Sequence, residues 1–222
     1  MKKLIILLFL VGGSVILFAQ KQTTSKILTL HPIFGLDFNF LKIENSDWNA
    51  LGLSTQINSL NTNNRVGFSL GTAYHFTIND RFSIAPQSII SFQHSQLDYD
   101  LENKINHTET VKPATLQFPI HMIFFNPKNE KFNPSIIFGG RYTYDISKKE
   151  ASVRLNLKEH DFAIDVGTSF IIKLKQIHIR PEFIYSFGLT NLNPKDTEGL
   201  YHSAIKSIFR DNISFRLVTG LK

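Results

Sequence analysis

The stretch Thr115-Leu116-Gln117-Phe118-Pro119-Ile120-His121-Met122-Ile123-Phe124 decides the fold. Leu116, Phe118, Ile120, Met122 and Phe124 stand at every second place, with Thr115, Gln117, Pro119 and His121 between them. Successive side chains of an extended chain leave on opposite sides, so this pattern predicts a strand with one apolar and one polar face. Its length, about ten residues, is that of a tilted strand crossing a bilayer.

Working outward, the same alternation appears eight times in all from about residue 33. Before it, Ile33–Leu41 sets Phe34, Leu36, Phe38 and Phe40 against Gly35, Asp37 and Asn39. Val66–Thr77 opposes Phe68, Leu70, Tyr74 and Phe76 to Gly67, Ser69, Ala73 and His75, and Phe82–His94 opposes Ile84, Ile90 and Phe92 to Ala85, Gln87 and Ser91. After it come Pro134–Asp145 with inward Gly139, Arg141, Thr143 and Asp145, then the run around Phe162–Ile172 with Asp165, Gly167 and Ser169. The run from Ile177 to Leu189 carries His178, Arg180 and Glu182, and the last carries Asn212, Ser214 and Arg216 against Ile213, Phe215 and Leu217. Long connections near 42–65, 95–110, 146–160 and 190–210 alternate with short ones near 78–81, 126–133 and 173–176. An even strand number with alternating long and short connections predicts an all-β chain: an eight-stranded antiparallel transmembrane β-barrel with long outer loops and short periplasmic turns.

A soluble barrel alternates too, with its apolar face inward. Lysine separates the two cases. All 17 lysines fall outside these eight runs, whereas a strand face in water uses lysine freely, above all at an edge. The polar face is built instead from Gly, Ala and Ser with a few charges of both signs, which suits the narrow interior of a closed eight-stranded barrel. Tyr74, Phe82, Tyr142, Tyr144 and Tyr185 lie toward strand ends, where aromatic girdles sit at the headgroup level.

The start of the chain supplies the route. Lys2 and Lys3 precede an almost wholly apolar Leu4–Phe18, followed by the small Ala19 and the polar Gln20 and Lys21. This is the order of a secretory signal, so residues 1–19 are expected to be a cleaved signal peptide for Sec-type export and 20–222 the outer-membrane barrel domain. The net charge is +6, of which the two signal lysines supply two, leaving +4. Export argues against nucleic acid as the partner of that basic balance, and the outer-membrane lipid bilayer is the expected one. There is no cysteine, hence no disulfide and no lipid-attachment thiol behind the signal. The chain ends on Leu221-Lys222, not on the aromatic residue with which such barrels commonly finish, and Phe215 is the nearest aromatic.

Facing the interior are Asp37, Asp145, Asp165 and Glu182 with Arg141, Arg180 and Arg216. Buried charges are costly unless paired, so these seven are expected to form a structural network that plugs the lumen. An interior that side chains just fill also excludes a wide pore. His75, His121 and His178 share this face without the close spacing of a zinc site. No cofactor, metal or small-molecule substrate is expected. His160-Asp161 with Ser203 is the one arrangement that a rim hydrolase could use, though nothing marks a nucleophile. Tyr201–Phe209, with apolar Ala204, Ile205, Ile208 and Phe209, has the spacing of a short amphipathic helix on the outer rim. Tyr201, Ile205, Phe209 and the lone Trp48 are candidate partner contacts.

The segment Gly139-Gly140-Arg141-Tyr142-Thr143-Tyr144-Asp145, followed by Lys148-Lys149, resembles the fifth strand of PorT proteins, called SprT in gliding bacteria. The similarity extends through Leu157–Phe162, Arg180-Pro181-Glu182, Ser186–Asn191, Lys195-Asp196 and Tyr201–Ile208, and covers most of the chain from about residue 112. Leu116–Ile120 resembles the family's fourth strand, in a pattern shared with many related barrels. The resemblance implies a non-enzymatic outer-membrane component of the type IX secretion system, needed for export of cargo proteins and in some species for gliding motility. It would work beside other type IX components, since so narrow a barrel cannot pass folded cargo. A generic barrel for adhesion or envelope integrity, and an outer-membrane lipid-modifying enzyme, are the alternatives with the same architecture.

Overall fold

The computed structural model describes residues 28–47, 57–64, 66–93, 95–101, 106–111, 114–125, 132–147, 157–174, 177–194 and 205–221. Residues 1–19, expected to be a signal peptide, and Trp48, Tyr201 and Ser203 lie outside the described residues. Eleven strands follow in order: β1 (Leu28–Asn45), β2 (Ile57–Asn64), β3 (Val66–Asn79), β4 (Phe82–Phe92), β5 (Ser95–Leu101), β6 (Asn106–Val111), β7 (Ala114–Phe125), β8 (Phe132–Asp145), β9 (His160–Lys173), β10 (Ile177–Gly188) and β11 (Ile205–Leu221). Eight of them close into an antiparallel barrel in the order β1-β11-β10-β9-β8-β7-β4-β3. Closure removes every edge within the ring, so each wall strand has a partner on both sides.

The wall is built inside out. Ile136 is 63% exposed, Ile120 58% and Phe34 54%, while Asp37, Asp165, Glu182 and Arg216 are all at 0%. A sheet in water would reverse these values, because burying charge and exposing isoleucine both cost free energy there. In hydrocarbon the same arrangement is favourable. The lumen is not uniformly polar. Ile33, Ala73, Ile89 and Val218 form one buried apolar cluster, and Ala85, Ile123, Ile137 and Ile184 form another.

Three expectations change. First, β1 and β11 are longer than their periodic runs, because they pair with each other through Ile43↔Ile208 and Glu44↔Ser207. The helix expected over Tyr201–Phe209 is therefore strand from Ile205 onward: a backbone that finds ladder partners has no need of helical bonds. Second, Lys42, Lys173 and Lys206 fall within strands, near their outer or inner ends, not outside them. Third, the long connections near 42–65 and 95–110 contain a separate three-stranded sheet of order β2-β5-β6. These strands continue β3, β4 and β7 beyond the ring.

Candidate functional site

Period-two alternation brings the inward residues of non-neighbouring strands together in the lumen, and there they are satisfied chiefly by one another. At the centre, Arg141 on β8 grips Asp165 on β9, Nε to Oδ2 at 3.2 Å and NH2 to Oδ1 at 2.9 Å. This two-pronged geometry is the strong form of the ion pair. Arg141 also reaches Ser186, and its NH1 donates to Gln117 Oε1 at 3.2 Å. His121 Nε2 shares the same oxygen as Arg141 Nε, 2.8 Å from Asp165 Oδ2.

Gln87 fixes the hydrogen pattern. Its Oε1 accepts from Arg216 NH1 at 3.2 Å, which turns its NH2 toward His121 Nδ1 at 3.1 Å. Nδ1 then accepts, and the His121 Nε2–H donates to Asp165. Arg216 NH2 completes the loop at Gln117 Oε1, 3.4 Å away. Arg216 and His121 are large side chains in a narrow space, and glycine makes the room. A Cβ at Gly139 would stand 2.2 Å from the Ile120 carbonyl and 2.9 Å from the His121 ring, and one at Gly35 would meet Ser69 and Arg216.

Two further groups flank this centre. Asp37 accepts from Ser91 on β4 and Ser214 on β11, each at 2.7 Å. Toward the inner end, Arg180 holds Glu182 at 2.9 Å and lies against His75, whose ring meets His31 edge-on at 4.9 Å. The structure therefore places Asp37, Arg141, Asp165, Arg180, Glu182 and Arg216 in the lumen, all at 7% exposure or less.

Asp145 stands on the same face, opposite Thr115, but at its end. It sits half-buried at the outer end of β8, where its Oδ1 accepts from the Ser147 backbone N–H at 2.9 Å. A turn residue with an unpaired N–H two places on captures a carboxylate before the lumen can. The pair that sequence reasoning missed is Arg210 and Asp161, 2.7 Å apart and buried. With it, the fully buried inward charges among the described residues are four carboxylates and four guanidinium groups. Carrying the odd-numbered alternation of β9 two places back, and the even-numbered alternation of β11 two places back, finds both.

The rim carries another arrangement. Asp211 points outward yet is 2% exposed, covered by Lys42 and the Tyr185 hydroxyl, with the Gly188 N–H donating at 3.1 Å. Farther out, Glu44 accepts from Lys206 and, at 3.0 Å, from Ser207. The Lys206 ammonium and then the Ser207 hydroxyl hold the Glu44 carboxyl below the usual carboxylate range. Ile205 is buried and Phe209 half-buried in β11. His160 and Asp161 leave β9 on opposite sides: His160 faces outward with its Nδ1 2.6 Å from the Tyr142 hydroxyl, and Asp161 faces inward to Arg210. They cannot act as a dyad on one substrate.

No family model matches the chain, and no curated protein matches it either. Among solved structures, the outer membrane protein OprG from Pseudomonas aeruginosa is similar at 11% identity and a TM-score of 0.47, over 87% of this chain and 94% of that one. Ail, the attachment invasion locus protein of Yersinia pestis, is similar at 12% identity and a TM-score of 0.37, over 89% of this chain and 99% of that one. A Pseudomonas aeruginosa FadL homologue is similar at 10% identity and a TM-score of 0.35, over 90% of this chain and half of that one.

Proposed function

We propose that the chain is an outer-membrane barrel that acts without chemistry of its own, as a type IX secretion component required for cargo export. The observation that carries the membrane placement is the inverted wall, with isoleucine and phenylalanine outside and paired charges inside. An outward apolar band of this kind has no stable place in water. Residues 1–19 would direct Sec-type export and be removed.

The secretion role rests on the resemblance of the chain from about residue 112 to PorT proteins. A lumen occupied by arginines, glutamines and isoleucines supports an accessory role over that of a conduit. Such a barrel would act by contact, holding or stabilising a larger translocon. In species that glide, motility would depend on it through that export.

Deleting the gene and complementing it, with cargo measured in the medium, on the surface and in the periplasm, tests the role. Cargo trapped in the periplasm is the expected result. Normal export would remove the secretion role and leave a surface barrel for adhesion or envelope integrity. The lipid-modifying alternative predicts changed lipopolysaccharide acylation in the same strain. The divergence of His160 and Asp161 argues against it.

A further inference from the structure

A proline inside a ladder takes a donor from one neighbour, and the pairing of the wall shows where that happens. Between β3 and β4 the pairs run from Phe68↔Phe92 to Ala73↔Gln87, lapse, and resume at Phe76↔Ile84. Between β4 and β7 they lapse after Pro86↔Ile120 and resume at Ile89↔Gln117. Antiparallel strands exchange both backbone bonds at alternate pairs. The first lapse takes in Tyr74 with Pro86, and the second takes in Gln87 with Pro119. In each, one bond is missing. The Tyr74 carbonyl faces the nitrogen of Pro86 and the Gln87 carbonyl that of Pro119, and neither nitrogen carries a hydrogen.

Pro86 and Gln87 are consecutive residues at the middle of β4. That strand is therefore interrupted toward both neighbours at one level, and among the described pairings no other strand of the ring is. A third lapse, at Pro181, loosens β10 from β9, yet β10 stays paired to β11 through Pro181↔Leu217. Elsewhere β8 and β9 pair without a break from Phe132↔Ile172 to Tyr144↔His160, and β1 and β11 from Ile33↔Val218 to Glu44↔Ser207. A carbonyl without a donor binds solvent in water, but hydrocarbon offers no substitute.

Side chains take over where this ladder lapses. Gln87 stands at the interruption itself, and its amide is held from two sides. Its Oε1 accepts from Arg216 NH1 at 3.2 Å, and its Nε2 donates to His121 Nδ1 at 3.1 Å. Arg216 also donates to Gln117 on β7 at 3.4 Å, so one guanidinium spans the second lapse. Farther out, Ser91 donates to Asp37 at 2.7 Å. These bonds tie β4 across the lumen to β11 and β1, which are not its neighbours in the ring.

We propose that β4 is a latched seam, the place where the wall parts toward the lipid, with the Gln87 amide as its latch. Arg216 and His121 hold the seam shut. Freed of them, β4 is the strand with backbone bonds missing on both sides, and it leaves the ring first. An opening there joins the lumen sideways to the bilayer while the pairing of β1 with β11 stays intact.

Hydrogen exchange of single amides, followed by NMR on the purified protein in detergent micelles, tests the seam. The amides of Ile84, Ala85, Gln87 and Ser88 should exchange about tenfold faster than those of Ile137, Phe138 and Gly139 on β8. Gln87→Met should speed the β4 set by about a further tenfold and leave β8 unchanged. Pro86→Ala with Pro119→Ala restores both donors and should bring β4 back to the β8 rate. With the ladder whole, adding Gln87→Met should change the rates by less than about threefold. Pro134→Ala should do nothing at β4, because the β8–β9 pairing already passes through Pro134↔Phe170 unbroken. Equal protection of β4 and β8 in the unaltered protein overturns the seam. Excess exchange that survives both proline replacements overturns the lapsed ladder as its cause. A rise spread over every strand in Gln87→Met overturns the latch. Should Gln87→Met fail to refold alone, as judged by heat-modifiable gel mobility, it should refold in the two-proline variant; failure in both overturns the latch as well.

Discussion

Phe40 and Lys42 stand two residues apart on the outward side of one strand, and between them the rule for building the molecule changes. Below Phe40 the wall turns apolar side chains out and charge in; beyond Lys42 it turns charge out and isoleucine in. The backbone is the same ladder throughout, β1 on β11 from Ile33 to Asn45. What differs is the solvent. A strand has no polarity of its own, and the face that carries isoleucine is decided by whether hydrocarbon or water lies beyond it. The crossing point on the β1–β11 ribbon therefore marks where the apolar surroundings of the wall end.

The largest effect is expected inside the wall. Arg141→Met leaves Asp165 buried with only His121 against it, and the loss should be about 3–5 kcal/mol, the cost of removing one member of a buried ion pair. Urea unfolding of the protein refolded into lipid vesicles measures it; a change under about 1 kcal/mol would show that the lumen pair is not what holds the strands together. A smaller and more discriminating test places one lysine on each side of the boundary. Val166→Lys, on the outward face at the middle of β9, should cost about 2–4 kcal/mol. Thr62→Lys, exposed on β2 of the three-stranded sheet, should stay within about 0.5 kcal/mol. Equal effects would erase the boundary. The slightest effect concerns pH. Glu44 titrates below its ordinary value of 4.5 because of Lys206 and Ser207, so its contribution is present above the unfolded value and is lost as pH falls through the folded one. A Glu44→Gln variant should flatten the stability profile slightly in that acidic window and leave it unchanged near neutrality.

The wall was legible because membrane strands write their geometry in period two. Thr115–Phe124 reads the same in sequence and in β7, and Asp37, Arg141, Asp165, Arg180, Glu182 and Arg216 are buried on the polar face of the wall. Legibility failed at the ends of strands, for one physical reason. At Leu41 the face that had been polar becomes apolar, so a rule calibrated on the wall reads the continuation of β1 as loop. The same reversal turned Ile205–Phe209 into an apparent amphipathic helix: Ile205, Ile208 and Phe209 at spacings of three and one look helical when the bulge opposite Asn45 is not known. Asp145 was lost to local backbone chemistry, its carboxylate being taken by Ser147. Nothing in the residue pattern could show that Arg216 and Gln87, 129 positions apart, share a hydrogen bond; only closure brings β11 opposite β4.

That last contact bears on how the molecule is made. Asp37 on β1 is satisfied by Ser91 on β4, and Arg216 on β11 by Gln87 on β4 and Gln117 on β7. In each of these three contacts the two bonded strands are not neighbours in the ring. An open sheet, however correctly paired, would hold those groups without partners, and hydrocarbon would exact several kcal/mol for each. A half-zipped intermediate is therefore barred from the bilayer by its own interior. Insertion has to wait for, or coincide with, the meeting of the first strand and the last, so the chain checks the completeness of its own circle before the membrane will take it.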